Sequence, residues 1–158
     1  KEDLLLAIPV ETTKDLIAQI NDHILVIKGA FNKILKFTWW LLNYVEKNPG
    51  YGVVVLLELK TSKSYVSTDA YQAARNFYQI ILDIIKEGQE EEAIKKEINP
   101  YLARSLCVGA MEHIIIRWLL KDKKYSLIQY ADELADLLID SLRKTDFDIS
   151  KTMVSASK

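Results

Sequence analysis

The chain has 158 residues, 49% of them apolar and 27% charged, with a formal charge of −1. That length suits one domain with a sizeable core, and the near-neutral balance lacks the clustered basic charge that nucleic acid demands. The single cysteine, Cys107, excludes an internal disulfide and fits a reducing compartment. No apolar run has the length to cross a bilayer, because Arg117 interrupts residues 114–120 and residues 53–57 are too few. No membrane partner is therefore expected, and with no signal peptide present the expected location is the cytoplasm. The chain starts at Lys1 rather than Met, which predicts a segment upstream.

Helical periodicity dominates, and strand signals are almost absent. Residues 1–8 carry an apolar stripe of Leu4, Leu5 and Ile8. Pro9 is expected to break or kink that helix, which resumes over 11–21 with Leu16, Ile17 and Ile20. Asp22 marks the next division. Residues 24–47 then place Ile27, Phe31, Ile34, Leu41, Leu42 and Val45 on one face, with Thr38 projecting into it. Phe37, Trp40 and Tyr44 form an aromatic edge, and Trp39 flanks the polar side.

Asn48-Pro49-Gly50 closes that helix and opens a short one over 51–59, where 53–57 could alternatively be a buried strand. Ser67 or Thr68 can cap a helix over 69–86. Its inner face holds Ala70, Ala73, Ala74, Phe77, Ile81 and Ile84, widened by Tyr71, Tyr78, Leu82 and Ile85. Gly88 is expected to end it as a C-cap, and the charged run 89–97 to be a solvated connector.

Residues 99–120 form a helix apolar nearly all the way round, so it must be covered on more than one side. Asn99 can cap it and Pro100 fits its first position. Small residues at Ala103, Cys107, Gly109 and Ala110 would let another helix approach closely. The amphipathic helix 126–143, with a seam of Leu127, Ala131, Leu134, Leu138 and Leu142, is its expected partner. Residues 146–158 are expected to be a loosely held tail.

No catalytic or metal motif appears. Two histidines and one cysteine fall in no Glu-x-x-His, Cys-x-x-Cys or His-Glu-x-x-His spacing, so neither metal nor other cofactor is expected. Cys107 and His113 lie on different faces of one helix, which rules out a nucleophile and its base. Cys107 itself reads as a buried, inert thiol. His113 and Arg117 share a face with Leu102, Leu106 and Ala110. They are either satisfied at a helix seam, or they line a cavity or fix a dimer contact. The many aromatics are either core or, beside Ala70, Ala73 and Ala74, the wall of a ligand cavity.

Two stretches carry a family resemblance. Lys1-Glu2-Asp3-Leu4-Leu5 resembles the segment after the DNA-recognition helix in TetR-type transcriptional regulators. The second begins at Ile84-Ile85-Lys86-Glu87-Gly88 and an acidic connector. It continues through Asn99-Pro100-Tyr101-Leu102-Ala103-Arg104 and Trp118-Leu119-Leu120 to Tyr130-Ala131-Asp132-Glu133-Leu134. It is similar to the last two helices of that family's effector domain, and Asn48-Pro49 matches its middle.

The resemblance implies an all-α antiparallel bundle of about six helices, the last two forming a four-helix bundle with a second copy. Residues 1–145 would be the effector-binding and dimerisation domain. Operator DNA would be held through an N-terminal helix-turn-helix domain absent from this chain. The chain would be a ligand-responsive regulator, a repressor, and not an enzyme. A small apolar or aromatic effector would lie among helices 24–47, 51–59, 69–86 and 100–120. Phe31, Thr38, Trp40, Tyr44, Phe77, Tyr78, Ile81, Met111, Ile114 and Trp118 are its expected lining. The expected homodimer seam is Leu102, Leu106, Ala110, His113 and Arg117 with Leu127, Leu134 and Leu138, while Cys107, Met111, Ile114 and Trp118 face inward. A tilt of the first helix about Pro9 would transmit binding. Rival readings are a helical lipid carrier or enzyme with a buried pocket, and a ligand-free helical interaction module.

Overall fold

In the computed structural model, which describes residues 2–61 and 63–144, the chain forms six α-helices. They are α1 (Glu2–Leu25), α2 (Ala30–Lys47), α3 (Pro49–Gly52), α4 (Asp69–Glu90), α5 (Pro100–Leu120) and α6 (Ala131–Leu142). A π-helix, Val53–Leu59, continues α3, and short 3-10 turns precede α4 and α6. The expected stripe of Leu4, Leu5 and Ile8 and the tail 146–158 lie outside the residues described at side-chain level.

The core follows the apolar faces. Ile34, Phe37 and Leu42 from α2, Ile81 and Ile85 from α4, and Met111 and Ile115 from α5 are all essentially inaccessible to solvent. Each such burial contributes about 1.5–3 kcal/mol. α1 packs chiefly on α4, α4 on α5, and α2 on both α4 and α6. The expected pairing of the last two helices within one chain is therefore secondary. α6 rests mainly on α2, because its seam of Leu134, Leu138 and Leu142 turns inward there.

Several caps are as expected. Thr68 Oγ1 accepts from the Tyr71 N–H at 3.2 Å, and Asn99 Oδ1 accepts from the Tyr101 N–H at 2.9 Å with Pro100 in the first helical position. Glu46 on α2 reaches across to accept from the Ile128 N–H at 2.9 Å and from the Ser126 hydroxyl, which fixes the start of the last helical segment.

Other boundaries differ. α1 runs unbroken through Pro9 and past Asp22 to Leu25, and the chain turns at 26–29, where Gly29 takes φ 84°. Gly supplies that left-handed backbone without a Cβ clash. Residues 53–57 are π-helix rather than strand. α4 continues through Gly88 to Glu90. That glycine serves packing, since a Cβ there would lie 2.7 Å from the Ala30 Cβ and 2.6 Å from Ile94 Cδ1.

The charged connector is also more built than its composition suggests. Ile94 is fully buried, Gln89 Nε2 donates to the carbonyls of Lys95 and Ile98, and Lys95 and Lys144 pair antiparallel with Leu142 and Ala93 through backbone bonds of 3.1 and 3.0 Å. One buried isoleucine and a side-chain amide anchor a segment whose charges point outward.

Candidate functional site

The inner faces of α1, α2, α4 and α5 and the π-helix enclose a cavity of about 30 Å³, room for little more than about one or two waters. Leu41 and Val45 of α2, Phe77 of α4 and Ile115 of α5 supply apolar wall. Val55 and Leu56 complete it. Their backbone winds with an extra residue per turn, an irregularity often found at functional sites. Gly52 allows the approach, for a Cβ there would come within 3.1 Å of Val45 Cγ1 and 3.2 Å of Leu119 Cδ1.

One side of the cavity is polar: Thr13, Tyr51, Tyr78 and Glu112. Thr13 Oγ1 donates to the Pro9 carbonyl at 2.7 Å, so its single proton is used. In the 2.8 Å contact between Thr13 Oγ1 and Tyr51 Oη, Tyr51 is therefore the donor. Burial pushes the Tyr51 phenol up. Glu112 Oε1 accepts from both Lys60 Nζ and the Tyr78 hydroxyl, and Lys60 also lies 5.3 Å above the Tyr78 ring. Burial, reinforced by the Glu112 charge, pushes the Tyr78 phenol well above its ordinary value. Tyr65 is pushed up to about 12, first by burial and then by Glu112. Among the described residues, the buried hydroxyls of Tyr65 and Thr38 have no hydrogen-bond partner.

Burial pushes the Cys107 thiol up to about 11, so it stays protonated and inert, as its apolar helix suggests. Among the described residues no three His, Cys, Asp or Glu side chains gather as a metal site. Two wider hollows, about 260 and 210 Å³, lie between α1 and α4. Both are open to solvent; the larger is lined by Asn76, Gln79, Asp83 and Glu87, and the smaller by Val10, Ile17 and Ala73 beside Lys14, Asp69 and Gln72.

Of the expected lining residues, Phe77 and Tyr78 stand on the cavity wall. Trp40 and Tyr44 sit just behind it: Trp40 packs on Phe77 at 6.4 Å, and Tyr44 stacks on Trp40 and meets Tyr51 edge-on at 5.6 Å. Ile81, Met111 and Thr38 are fully buried core, and Ile114 is half-buried on α5. Trp118 is anchored by its indole N–H on the Tyr125 carbonyl at 2.7 Å. Phe31 is turned the other way, under Arg143. An aromatic stripe at helical spacing first fills a core, which is why most of these rings lie off the cavity. The polar side was not legible: Thr13, Tyr51, Lys60 and Glu112 converge from four elements with no common period.

On α5, Leu102, Leu106, His113 and Arg117 are exposed, Ala110 is half-buried, and Cys107, Met111 and Trp118 face inward. Leu127, Leu134 and Leu138 are buried in the chain's own core, so they leave no surface for a seam. The apolar residues that α6 and the turn before it expose are Leu137 and Tyr130.

The family described as the YsiA-like protein C-terminal region matches residues 10–141. The chain is a YsiA-like C-terminal region of the TetR type. The fatty acid metabolism regulator protein of Bacillus subtilis (strain 168) is 22% identical over 142 residues, 90% of this chain and 73% of that protein. Two solved structures share the fold with TM-scores of 0.83. One is the transcriptional regulator FadR from Bacillus subtilis in complex with stearoyl-CoA, at 21% identity; the other is the fatty acid degradation regulator FadR from Bacillus halodurans, at 20%. Each alignment covers 90% of this chain and 76% of that one. The MbdR regulator from Azoarcus sp. CIB follows at 0.74, with 16% identity over 91% of this chain and 78% of that one. These relatives are regulators. The YsiA-like region here is likewise part of a ligand-responsive transcriptional regulator. Among the described residues no helix is long and apolar enough to cross a membrane.

Proposed function

We propose that this domain represses transcription until an acyl-CoA thioester lodges its acyl chain in the cavity between α2, α4, α5 and the π-helix. The observation that carries this reading is the cavity itself: a largely apolar, partly enclosed space between the helices of a domain whose structural relative was solved with stearoyl-CoA. Residues 1–145 are the regulator's effector domain, operator DNA is held by a helix-turn-helix domain preceding it, and the regulator acts in the cytoplasm.

As it stands the cavity is about 30 Å³, against roughly 300–1,000 Å³ for ordinary ligand pockets. The acyl chain must therefore displace a wall. α2, α4 and α5 are long helices locked in the core. The π-helix is short, irregularly bonded and followed by a polar turn, so it is the wall that yields. Its neighbour Tyr51 is tied to Thr13 on α1, so displacement there shifts α1 close to Pro9. The ligand changes DNA affinity only by the difference between its affinities for the two arrangements. Two copies pair through the outer face of α5 (Leu102, Leu106, Ala110, His113 and Arg117) together with Tyr130 and Leu137.

The experiment is a thermal-shift series on this domain with acyl-CoA thioesters of rising chain length, followed by an operator shift with the full-length regulator. Stabilisation that grows with chain length, and release of DNA by the same thioesters, is the expected result. Absence of stabilisation by any of them would exclude the acyl-CoA reading.

A further inference from the structure

We infer that the polar side of the cavity selects an effector that presents an O–H or N–H donor beside its apolar chain. The inference rests on the acyl-CoA reading above and deepens it. The reason is a count of protons. The Tyr51 hydroxyl donates to Thr13, and Thr13 donates to the Pro9 carbonyl. Tyr78 and Lys60 both donate to a single oxygen of Glu112, Oε1. The hydroxyl protons of all three lining side chains are thus spent inside the protein. Acceptors remain: no donor among the described residues reaches Glu112 Oε2, and the Tyr51 and Tyr78 oxygens keep lone pairs.

A plain alkyl chain would seal a half-satisfied carboxylate against hydrocarbon, which is costly. A donor on the ligand removes that cost, and a site built to pair with such a group discriminates strongly against ligands lacking it. The Lys60–Glu112 pair is only partly exposed, with side-chain accessibilities of 27% and 15%, so water screens the new bond weakly. Within an acyl-CoA the donor can come from two places: a hydroxyl on the acyl chain, or an amide N–H or hydroxyl of the CoA moiety.

The test measures binding of three probes, decanoyl-CoA, 10-hydroxydecanoyl-CoA and methyl decanoate, to the wild-type domain and to Glu112→Gln. The glutamine keeps an oxygen for Lys60 and Tyr78 but puts an N–H₂ where Oε2 was. The expected result is that Glu112→Gln weakens a donor-bearing probe on the order of tenfold, while methyl decanoate binds no more weakly than to the wild type. If only 10-hydroxydecanoyl-CoA weakens, the donor is the chain hydroxyl. If both thioesters weaken alike, the donor lies on the CoA moiety. Equal affinities of wild type and variant for all three probes would overturn the inference while leaving the acyl-CoA reading intact. Failure of every probe to bind the wild type would sink the acyl-CoA reading itself. Should Glu112→Gln not fold, Lys60→Met/Glu112→Met removes both charges together and must show the same loss.

Discussion

The two faces of α5 both carry large apolar side chains and have opposite fates. The inner face, Ala103, Cys107, Met111, Ile115 and Trp118, is covered by the chain's own helices. The outer face, Leu102, Leu106, His113, Arg117 and Leu120, is exposed, with Leu102 at 68% and Leu120 at 67%. Gly109 lies on that outer face with nothing within 4 Å of where a Cβ would stand. The difference teaches that apolarity alone does not say which partner covers a helix. The inner face is stabilised by folding. The outer face is the one proposed for association, and the glycine keeps it shallow.

The comparison breaks first at the inner face. Trp118→Ala removes a buried indole and its 2.7 Å bond to the Tyr125 carbonyl, and should destabilise the domain by about 3–5 kcal/mol in urea unfolding. Next is the close contact that seats the connector before α5. Gly88→Ala places a methyl within 2.6–2.8 Å of Ile94 and Ala30, and should cost about 1–3 kcal/mol on the same measurement. Asn99→Ala removes the cap common to both faces of α5, for about 1 kcal/mol.

On the outer face the same scale of change should barely register in stability. Leu106→Asp is expected to stay within about 0.5 kcal/mol of the wild type in unfolding at low protein concentration, yet to halve the mass seen by size exclusion. A variant that keeps the wild-type mass would remove α5 from the proposed seam.

Titration gives the smallest and cleanest contrast. Because burial raises the Cys107 thiol from 9.0 to about 11, the folded state holds its proton where the unfolded state has lost it. This contribution to stability is present below pH 9 and declines as pH rises towards 11. Native protein at pH 8 should accordingly resist maleimide labelling, and denatured protein should react at once. Rapid labelling of the native state would mean that the inner face opens.

Much of this was legible in the chain itself. The helices of α2, α4 and α5 declare themselves through 3.6-residue spacing, and Asn99-Pro100 and Thr68 mark their starts, because capping and periodicity are local chemistry. The two-sided nature of α5 was legible for the same reason, down to the split between Leu102, Leu106, His113 and Arg117 on one side and Cys107, Met111 and Trp118 on the other. Three-dimensional packing decided the rest. Pro9 and Asp22 do not interrupt α1, which packs on α4. Gly88 is a packing residue because Ala30 and Ile94 press on it from distant positions. Leu127, Leu134 and Leu138 face α2 and the core, although their spacing suits an intersubunit seam equally well. The polar side of the cavity depended most on tertiary structure, for Thr13, Tyr51, Lys60, Tyr78 and Glu112 meet only when five elements close around them. Sequence periodicity orders residues along one helix; convergence between helices belongs to the folded state.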